Sequence, residues 1–98
     1  MINRHLGEDV RPSFRVRIRK QPIIPIHCSG EVYKGEKYIG PFPTVISGNK
    51  VSGLIGAVSI KSIGDYIAKF IVITEEQGKL EHAIPFRITK SVLGKKRV

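Results

Sequence analysis

The chain has few of the residues that mark a secreted domain or a membrane protein. Cys28 is the only cysteine among 98 residues, so no disulfide framework can form within the chain. No apolar run approaches the ~18 residues that a transmembrane helix needs. The N-terminal stretch lacks the apolar core of a secretory signal peptide. We therefore expect a location in the cytoplasm or inside a virus particle, and no membrane partner.

Signals of catalysis and metal binding are also scarce. Cys28 follows His27, but neighbouring residues of a strand point to opposite faces, so the pair would not meet as nucleophile and base. The histidines lack a cysteine or carboxylate at ligand spacing. We expect Cys28 to be a small core residue and His82 a hydrogen-bonded core histidine. The sequence thus predicts no catalytic residue, no metal site, no cofactor and no enzymatic activity.

Acidic residues are outnumbered, and the basic excess is unevenly distributed. The chain has 17 lysines and arginines against eight aspartates and glutamates, a net charge of +9. Residues 1–20 carry a net +4, residues 21–86 are neutral overall and residues 87–98 carry +5. Because solubility alone needs no such clustering, this distribution favours a polyanionic partner.

The segment FRVRIRK, residues 14–20, alternates apolar residues with arginines. In an extended strand this pattern gives one apolar face and one arginine face. We predict three arginines along one strand edge at a spacing of about 6.5–7 Å, twice the rise per residue. A guanidinium can grip phosphate through two parallel hydrogen bonds. The predicted nucleic-acid-binding residues are Arg15, Arg17, Arg19, Lys20, Arg87, Lys90, Lys95, Lys96 and Arg97.

Strand signals separated by glycine and proline predict an all-β fold. Residues 66–74 (YIAKFIVIT) are apolar on both parities, which predicts an interior strand buried on both faces. A turn at Gly78 would pair it with an amphipathic strand at residues 80–89, in which Pro85 indicates an edge or one unpaired position. Shorter strands are expected at residues 26–33 and 44–47, and a bent or bulged strand at residues 51–60.

The predicted architecture is a single β domain over residues 1–98, a small sandwich or barrel of about six or seven short strands. Residues 1–12 are expected to form an N-terminal arm and residues 91–98 a basic C-terminal tail. The predicted core residues are Phe14, Val16, Ile18, Ile71, Ile84, Phe86 and Ile88.

Residues 11–15, RPSFR, form an R-x-x-x-R element that leads into the predicted arginine strand. This element resembles the opening of PilZ domains, β-barrels in which the arginines grip the phosphates of cyclic di-GMP. A second motif of that family, [D/N]-x-S-x-x-G, completes the site. Residues 49–53, NKVSG, depart from it because Ser52 lies one place further from Asn49. The resemblance implies a cyclic dinucleotide-binding domain with Arg11 and Arg15 at the phosphates.

The leading hypothesis is a non-catalytic binding module that contacts nucleic-acid backbone through the arginine face and the basic termini. Only Tyr33, Tyr38 and Phe42 are expected to be exposed enough to stack on bases. Salt-dependent binding is therefore expected, and sequence-specific recognition is not. The alternative is a structural β-subunit of a homo-oligomer or larger assembly, such as a virus or phage particle, whose arginines meet an acidic protein surface. Residue type cannot separate these hypotheses, because guanidinium binds carboxylate and phosphate with the same fork.

Overall fold

The computed structural model describes residues 1–90, and this part of the chain is built almost entirely from strands. Its only helical element is a single 3-10 turn at Ala57–Ser59. The strands are β1 (Ile2–His5), β2 (Ser13–Arg15), β3 (Arg17–Ile18), β4 (Gln21–Pro22), β5 (His27–Lys34), β6 (Lys37–Phe42), β7 (Thr44–Ser47), β8 (Lys50–Gly53), β9 (Gly64–Thr74) and β10 (Gly78–Thr89). The all-β prediction is confirmed. The strands outnumber the expected six or seven because several are only two to four residues long.

The strands form three sheets. The largest has the order β1-β10-β9-β5-β6, in which β1 runs parallel to β10 and the other neighbours are antiparallel. A second sheet has the order β2-β8-β7, and β3 pairs with β4 in a small hairpin. Within residues 1–90 no helix is long and apolar enough to span a membrane.

The five-stranded and three-stranded sheets face each other across one aromatic core. Phe70 of β9 meets Phe14 of β2 and Phe42 of β6 edge to face, with ring centroids 5.0 and 5.2 Å apart. Such pairs add to the stabilisation gained from burial itself. Thr44 at the start of β7 donates a hydrogen bond to the carbonyl oxygen of Cys28 on β5, at 3.0 Å. The two sheets are therefore the layers of a sandwich.

The strand β9 lies in the interior of the larger sheet, between β5 and β10, as predicted. The turn that joins it to β10 has Gly78 at a φ of +67°, a left-handed conformation that glycine adopts without a steric penalty. The prediction that β9 is buried on both faces is wrong. Tyr66 and Phe70 are buried, whereas Ile67 on the opposite face is 38% exposed. The reason is that the second sheet covers only one side of β9.

Most of the predicted core residues are buried or pack against the core. Val16, Phe86 and Ile88 are buried, and Phe14 and Ile84 pack against the core from its margin; Ile18 is half-buried. Three residues depart from the prediction. Ile18 in the short strand β3 is outside the core cluster. Ile71 lies on the uncovered face of β9 and is only half-buried. His82 is exposed, and its ring stacks on Phe14 with centroids 4.1 Å apart instead of entering the core.

The N-terminal residues differ from the predicted arm. Ile2–His5 is the edge strand β1, which pairs in parallel with residues 86–89 of β10. Val10 is fully buried and exchanges backbone hydrogen bonds with Ile55. Both partners are distant in sequence, so no local pattern could indicate them. Because β1 covers only residues 86–89, β9 is the one described strand beside residues 78–85 of β10, which agrees with Pro85 at an edge.

The predicted bent strand at residues 51–60 is shorter than expected, because β8 ends at Gly53. Glycine is required there by packing: a Cβ at Gly53 would overlap the ring of Phe42 and lie 3.2 Å from the ring of Phe70. Gly30 on β5 meets the same Phe42 ring. The ring of Phe42 thus lies directly over two strands that have no side chain at the contact.

We expect Gly53→Ala to lower the free energy of unfolding by about 1–3 kcal/mol, the usual cost of adding atoms to a packed core. Gly40→Ala is the matched control, since a Cβ at Gly40 has no atom within 4 Å, and its effect should stay within about 0.5 kcal/mol. Urea denaturation of both variants measures the difference. Equal stabilities would contradict the proposed packing of Phe42.

Candidate nucleic-acid interface

The arginine segment is not one continuous strand. Arg15 ends β2, Arg17 begins β3, and Arg19 lies in the turn that joins β3 to β4. The predicted straight row of arginines at equal spacing is therefore wrong. The physical reason lies at Val16, whose N–H donates to the carbonyl oxygen of Asn49 at 2.7 Å. At Val16 the chain contacts the turn between β7 and β8, and the β3–β4 hairpin begins directly after it.

The alternation of burial predicted for this segment is nevertheless present. Val16 is buried and Phe14 and Ile18 are half-buried, while all three arginines are exposed. The apolar side chains hold the segment against the core, and the guanidinium groups point away from it. Arg15 and Arg17, with Glu81 and His82, also line a cleft of about 320 Å³ beside β10; the remaining lining residues are Phe14, Val16, Ile18, Val72 and Leu80.

The tip of the β3–β4 hairpin has an unusual backbone. Arg19 and Lys20 have φ values of +52° and +69°, so both lie in the left-handed region at the centre of a two-residue hairpin loop. Asn-Gly and similar pairs are favoured at such positions, because bulky L-residues there are strained. The hairpin consequently presents two adjacent exposed cations at a place where the backbone alone would favour small residues.

The outer face of the three-stranded sheet continues this basic character. Arg15 of β2 is paired in register with Lys50 of β8, and Ser13 is paired with Ser52. Paired residues of antiparallel strands project from the same face, so both cations and both hydroxyls lie together. Arg15 Nη1 also donates to Asn49 Oδ1 at 3.2 Å. A shallow cavity of about 450 Å³ opens on this face, lined by Arg11, Ser13, Pro43, Val45, Lys50, Ser52, Gly53 and Leu54.

We call this set the basic surface; it consists of Arg11, Arg15, Arg17, Arg19, Lys20 and Lys50. Within residues 1–90, no carboxylate oxygen lies within 4.0 Å of any of these side chains except Arg11, which is 3.8 Å from Asp9. Exposed cations that form no ion pair keep their charge available to an anionic partner. Lys50 was missed in the sequence, because its pairing with Arg15 depends on a long-range register.

Arg87 does not join the basic surface. Its Nε donates to Asp65 Oδ1 at 2.7 Å, and this hydrogen bond lowers the pKa of the Asp65 carboxyl and raises that of Arg87. Arg87 lies on the outer face of the five-stranded sheet, since Phe86 and Ile88 beside it face the core. Arg15 and Arg87 therefore point to opposite sides of the sandwich.

The remaining predicted cations are at the C-terminal end. Lys90 is exposed just after β10, and its carbonyl oxygen lies 3.0 Å from His5 Nδ1. Lys95, Lys96 and Arg97, with the predicted tail at residues 91–98, lie outside the described residues. Their contribution to binding stays a prediction.

The structure separates Cys28 from the neighbouring His27. His27 is exposed while Cys28 is buried on the other face of β5, and burial raises the pKa of the Cys28 thiol. That thiol is thus further from the reactive thiolate form at neutral pH. Across residues 1–90, no three His, Cys, Asp or Glu side chains lie close enough together to hold a metal ion.

The two segments that carry the PilZ resemblance adjoin in the structure, because β2 follows Arg11 and β8 contains Ser52. Comparison with known proteins adds no support for that family or any other. No family model, no curated protein and no solved structure matches this chain.

Proposed function

We propose that the protein is a non-catalytic module that binds nucleic-acid backbone through its basic surface. The observation that carries the proposal is the concentration of exposed, mostly unpaired cations on the outer face of the three-stranded sheet and the adjoining hairpin. The hydroxyls of Ser13 and Ser52 add donors among these cations, and serine hydroxyls commonly contact phosphate oxygens. Such binding would occur inside a cell or a virus particle, where nucleic acid is present.

Recognition of the backbone, without base readout, follows from where the aromatic side chains lie. Phe42, expected to be exposed, is buried. Tyr33 and Tyr38 contact each other on the larger sheet, away from the basic surface. Phe14 is half-buried between Phe70 and His82. With no exposed aromatic ring on the basic surface, base stacking contributes little and electrostatic contacts dominate.

The strained hairpin tip gives a specific test of this proposal. Replacing Arg19 by asparagine and Lys20 by glycine should raise the free energy of unfolding by about 1 kcal/mol, because the new residues suit the left-handed loop. The same double variant should lose about 1–2 units of salt dependence in nucleic-acid binding, since two cations are removed. A chemical denaturation and a binding titration measure the two effects. A less stable variant, or one with unchanged binding, would contradict a functional reason for the strained cations.

The proposal as a whole is tested with fluorescently labelled oligonucleotides of unrelated sequence, single-stranded and double-stranded, titrated at several salt concentrations. We expect similar affinities across sequences and a steep loss of affinity as salt rises. Affinity that depends strongly on base sequence, or binding insensitive to salt, would overturn it.

A structural subunit of a larger assembly is the second candidate. It is favoured by the strands β6 and β7, which form the edges of their sheets in the described part of the chain and could accept a strand from a neighbouring subunit. Purified protein separates the two candidates: a ring or shell free of absorbance at 260 nm favours the structural role, and material that co-purifies with nucleic acid favours the first.

A further inference from the structure

The outer face of the five-stranded sheet has an apolar row that crosses four strands. Tyr38 of β6 is in register with Tyr33 of β5, Tyr33 with Ile67 of β9, and Ile67 with Pro85 of β10. Tyr38 is 51% exposed and Ile67 is 38% exposed. Single exposed apolar residues are common on any protein, but this row is contiguous across the sheet.

Two further isoleucines lie on the same face of β9, separated from Ile67 by Lys69. Ile71 and Ile73 have the same parity as Ile67 and are half-buried, although no second layer of described residues covers this face. We call the set the outer patch; it consists of Tyr33, Tyr38, Ile67, Ile71, Ile73 and Pro85. Its contiguous part is the row of Tyr38, Tyr33, Ile67 and Pro85, and an apolar surface of this kind marks an interaction site more often than a simple solvated face.

The charges around the outer patch are balanced and already paired. Lys69 lies 3.4 Å from Glu81, and Lys79 lies 4.0 Å from the same carboxylate. Arg87 is bonded to Asp65 in the cross-strand pair next to Ile67 and Pro85. Glu31 accepts a hydrogen bond from the Tyr33 hydroxyl. Together these contacts involve three acidic groups and three basic groups: Glu31, Asp65 and Glu81, and Lys69, Lys79 and Arg87. Two histidines also lie on this face: His27 is at one margin, in register with Ile73, and His5 of β1 is at the other, in register with Thr89.

This neutrality narrows the choice of partner. The chain as a whole carries a charge of +9, so two copies repel each other wherever their basic surfaces approach. A face without net positive charge offers nucleic acid no electrostatic attraction. A second copy of the chain meets this face without repulsion, and an interface that pairs one patch with itself is the usual form of a two-fold dimer.

The size of the face also suits a dimer. Five strands at ~4.8 Å spacing and about eight residues at ~3.3 Å rise give a flat area of roughly 600 Å². Side-chain relief raises the accessible area above that, close to the ~800 Å² that each partner buries in a standard protein interface.

We propose that the outer patch binds the outer patch of a second copy, forming a two-fold dimer by packing the five-stranded sheets face to face. The basic surface lies on the opposite side of the sandwich, so in the dimer the two basic surfaces face outward, away from each other. The dimer thus neither requires nor blocks binding of a polyanion, and the two proposals can fail independently.

Sedimentation equilibrium of the protein, freed of nucleic acid by high salt, tests the dimer. Between about 1 and 100 µM, a range that detects dimers of ordinary affinity, we expect a species of twice the 10.9 kDa chain mass. Ile67→Lys should sediment as a monomer over the range in which the unmodified protein is a dimer. Val45→Lys is the matched control: Val45 is 66% exposed on the outer face of the smaller sheet, and that variant should remain a dimer.

A measurement without any substitution guards against an effect of Ile67→Lys on folding. Amide chemical shifts of the unmodified protein should change on dilution at residues 29–33, 65–73 and 81–85, and stay constant in β2, β7 and β8. A monomeric unmodified protein at the highest concentration, dimers unaffected by Ile67→Lys, or dilution shifts confined to the smaller sheet would each overturn the proposal.

Discussion

Replacing Phe86 by alanine is expected to lower the free energy of unfolding by about 3–5 kcal/mol. Phe86 is fully buried and stacks on Tyr66, with ring centroids 5.3 Å apart. It lies where β10 is paired on both sides, with β9 and with β1. Because a small domain has a total stability of about 5–15 kcal/mol, this loss removes a large share of it.

Urea denaturation measures the change, with a slope that should stay constant if only the native state is affected. Ile24→Ala is the control: Ile24 is 70% exposed, and its truncation should cost less than about 1 kcal/mol. A loss under about 1 kcal/mol for Phe86→Ala would mean that the register of β10 is reversed, with its Phe86 face toward solvent.

Replacing Arg15, Arg17 and Arg19 together by glutamine is expected to flatten the plot of log affinity against log salt by about 2 to 3 units. Glutamine keeps the length and polarity of the side chain and removes the charge. The three positions are exposed, so the fold should be retained. Affinity should fall by a similar factor for unrelated sequences, because phosphate contacts carry no sequence information.

Arg87→Gln is the matched control for the triple variant. Arg87 is also an exposed strand arginine, but it is bound to Asp65 on the opposite side of the sandwich. Its replacement should leave the salt slope unchanged. If the triple variant kept the full slope, or if Arg87→Gln flattened it equally, the basic surface would not be the contact surface.

The strands β9 and β10 could be predicted from the sequence because their signals are local. A run of β-branched and aromatic residues, a turn with Gly78 and an alternating return strand are all visible within about 25 neighbouring positions. The same locality explains the confirmed strand β7. The core face of β10 was also predicted correctly, because a two-residue period determines which side chains of a strand share a face.

Features that depend on partners distant in sequence could not be predicted. The parallel pairing of β1 with β10 joins the two ends of the described chain, and nothing in residues 1–12 indicates it. The apolar outer face of β9 looked like a second buried face, because composition alone does not show whether another layer covers it. Both errors arise from tertiary context overriding a local pattern.

The candidate interface was predicted in part. Alternation correctly indicated that Arg15, Arg17 and Arg19 avoid the core, and it failed on their geometry because the break at Val16 is imposed by contact with Asn49 in the turn between β7 and β8. Lys50 became part of the surface through its register with Arg15. Arg87 was assigned to the site on charge alone, whereas its partner Asp65 lies 22 positions earlier, on the neighbouring strand.

The salt dependence of nucleic-acid binding by the unmodified protein tests the central claim most directly. Affinity for one single-stranded and one double-stranded oligonucleotide is measured over a series of salt concentrations, and log affinity is plotted against log salt. The six cations of the basic surface predict a slope at least as steep as about −4 to −5. A flat plot, or no binding at low salt, would contradict the account and leave the basic surface to a protein partner.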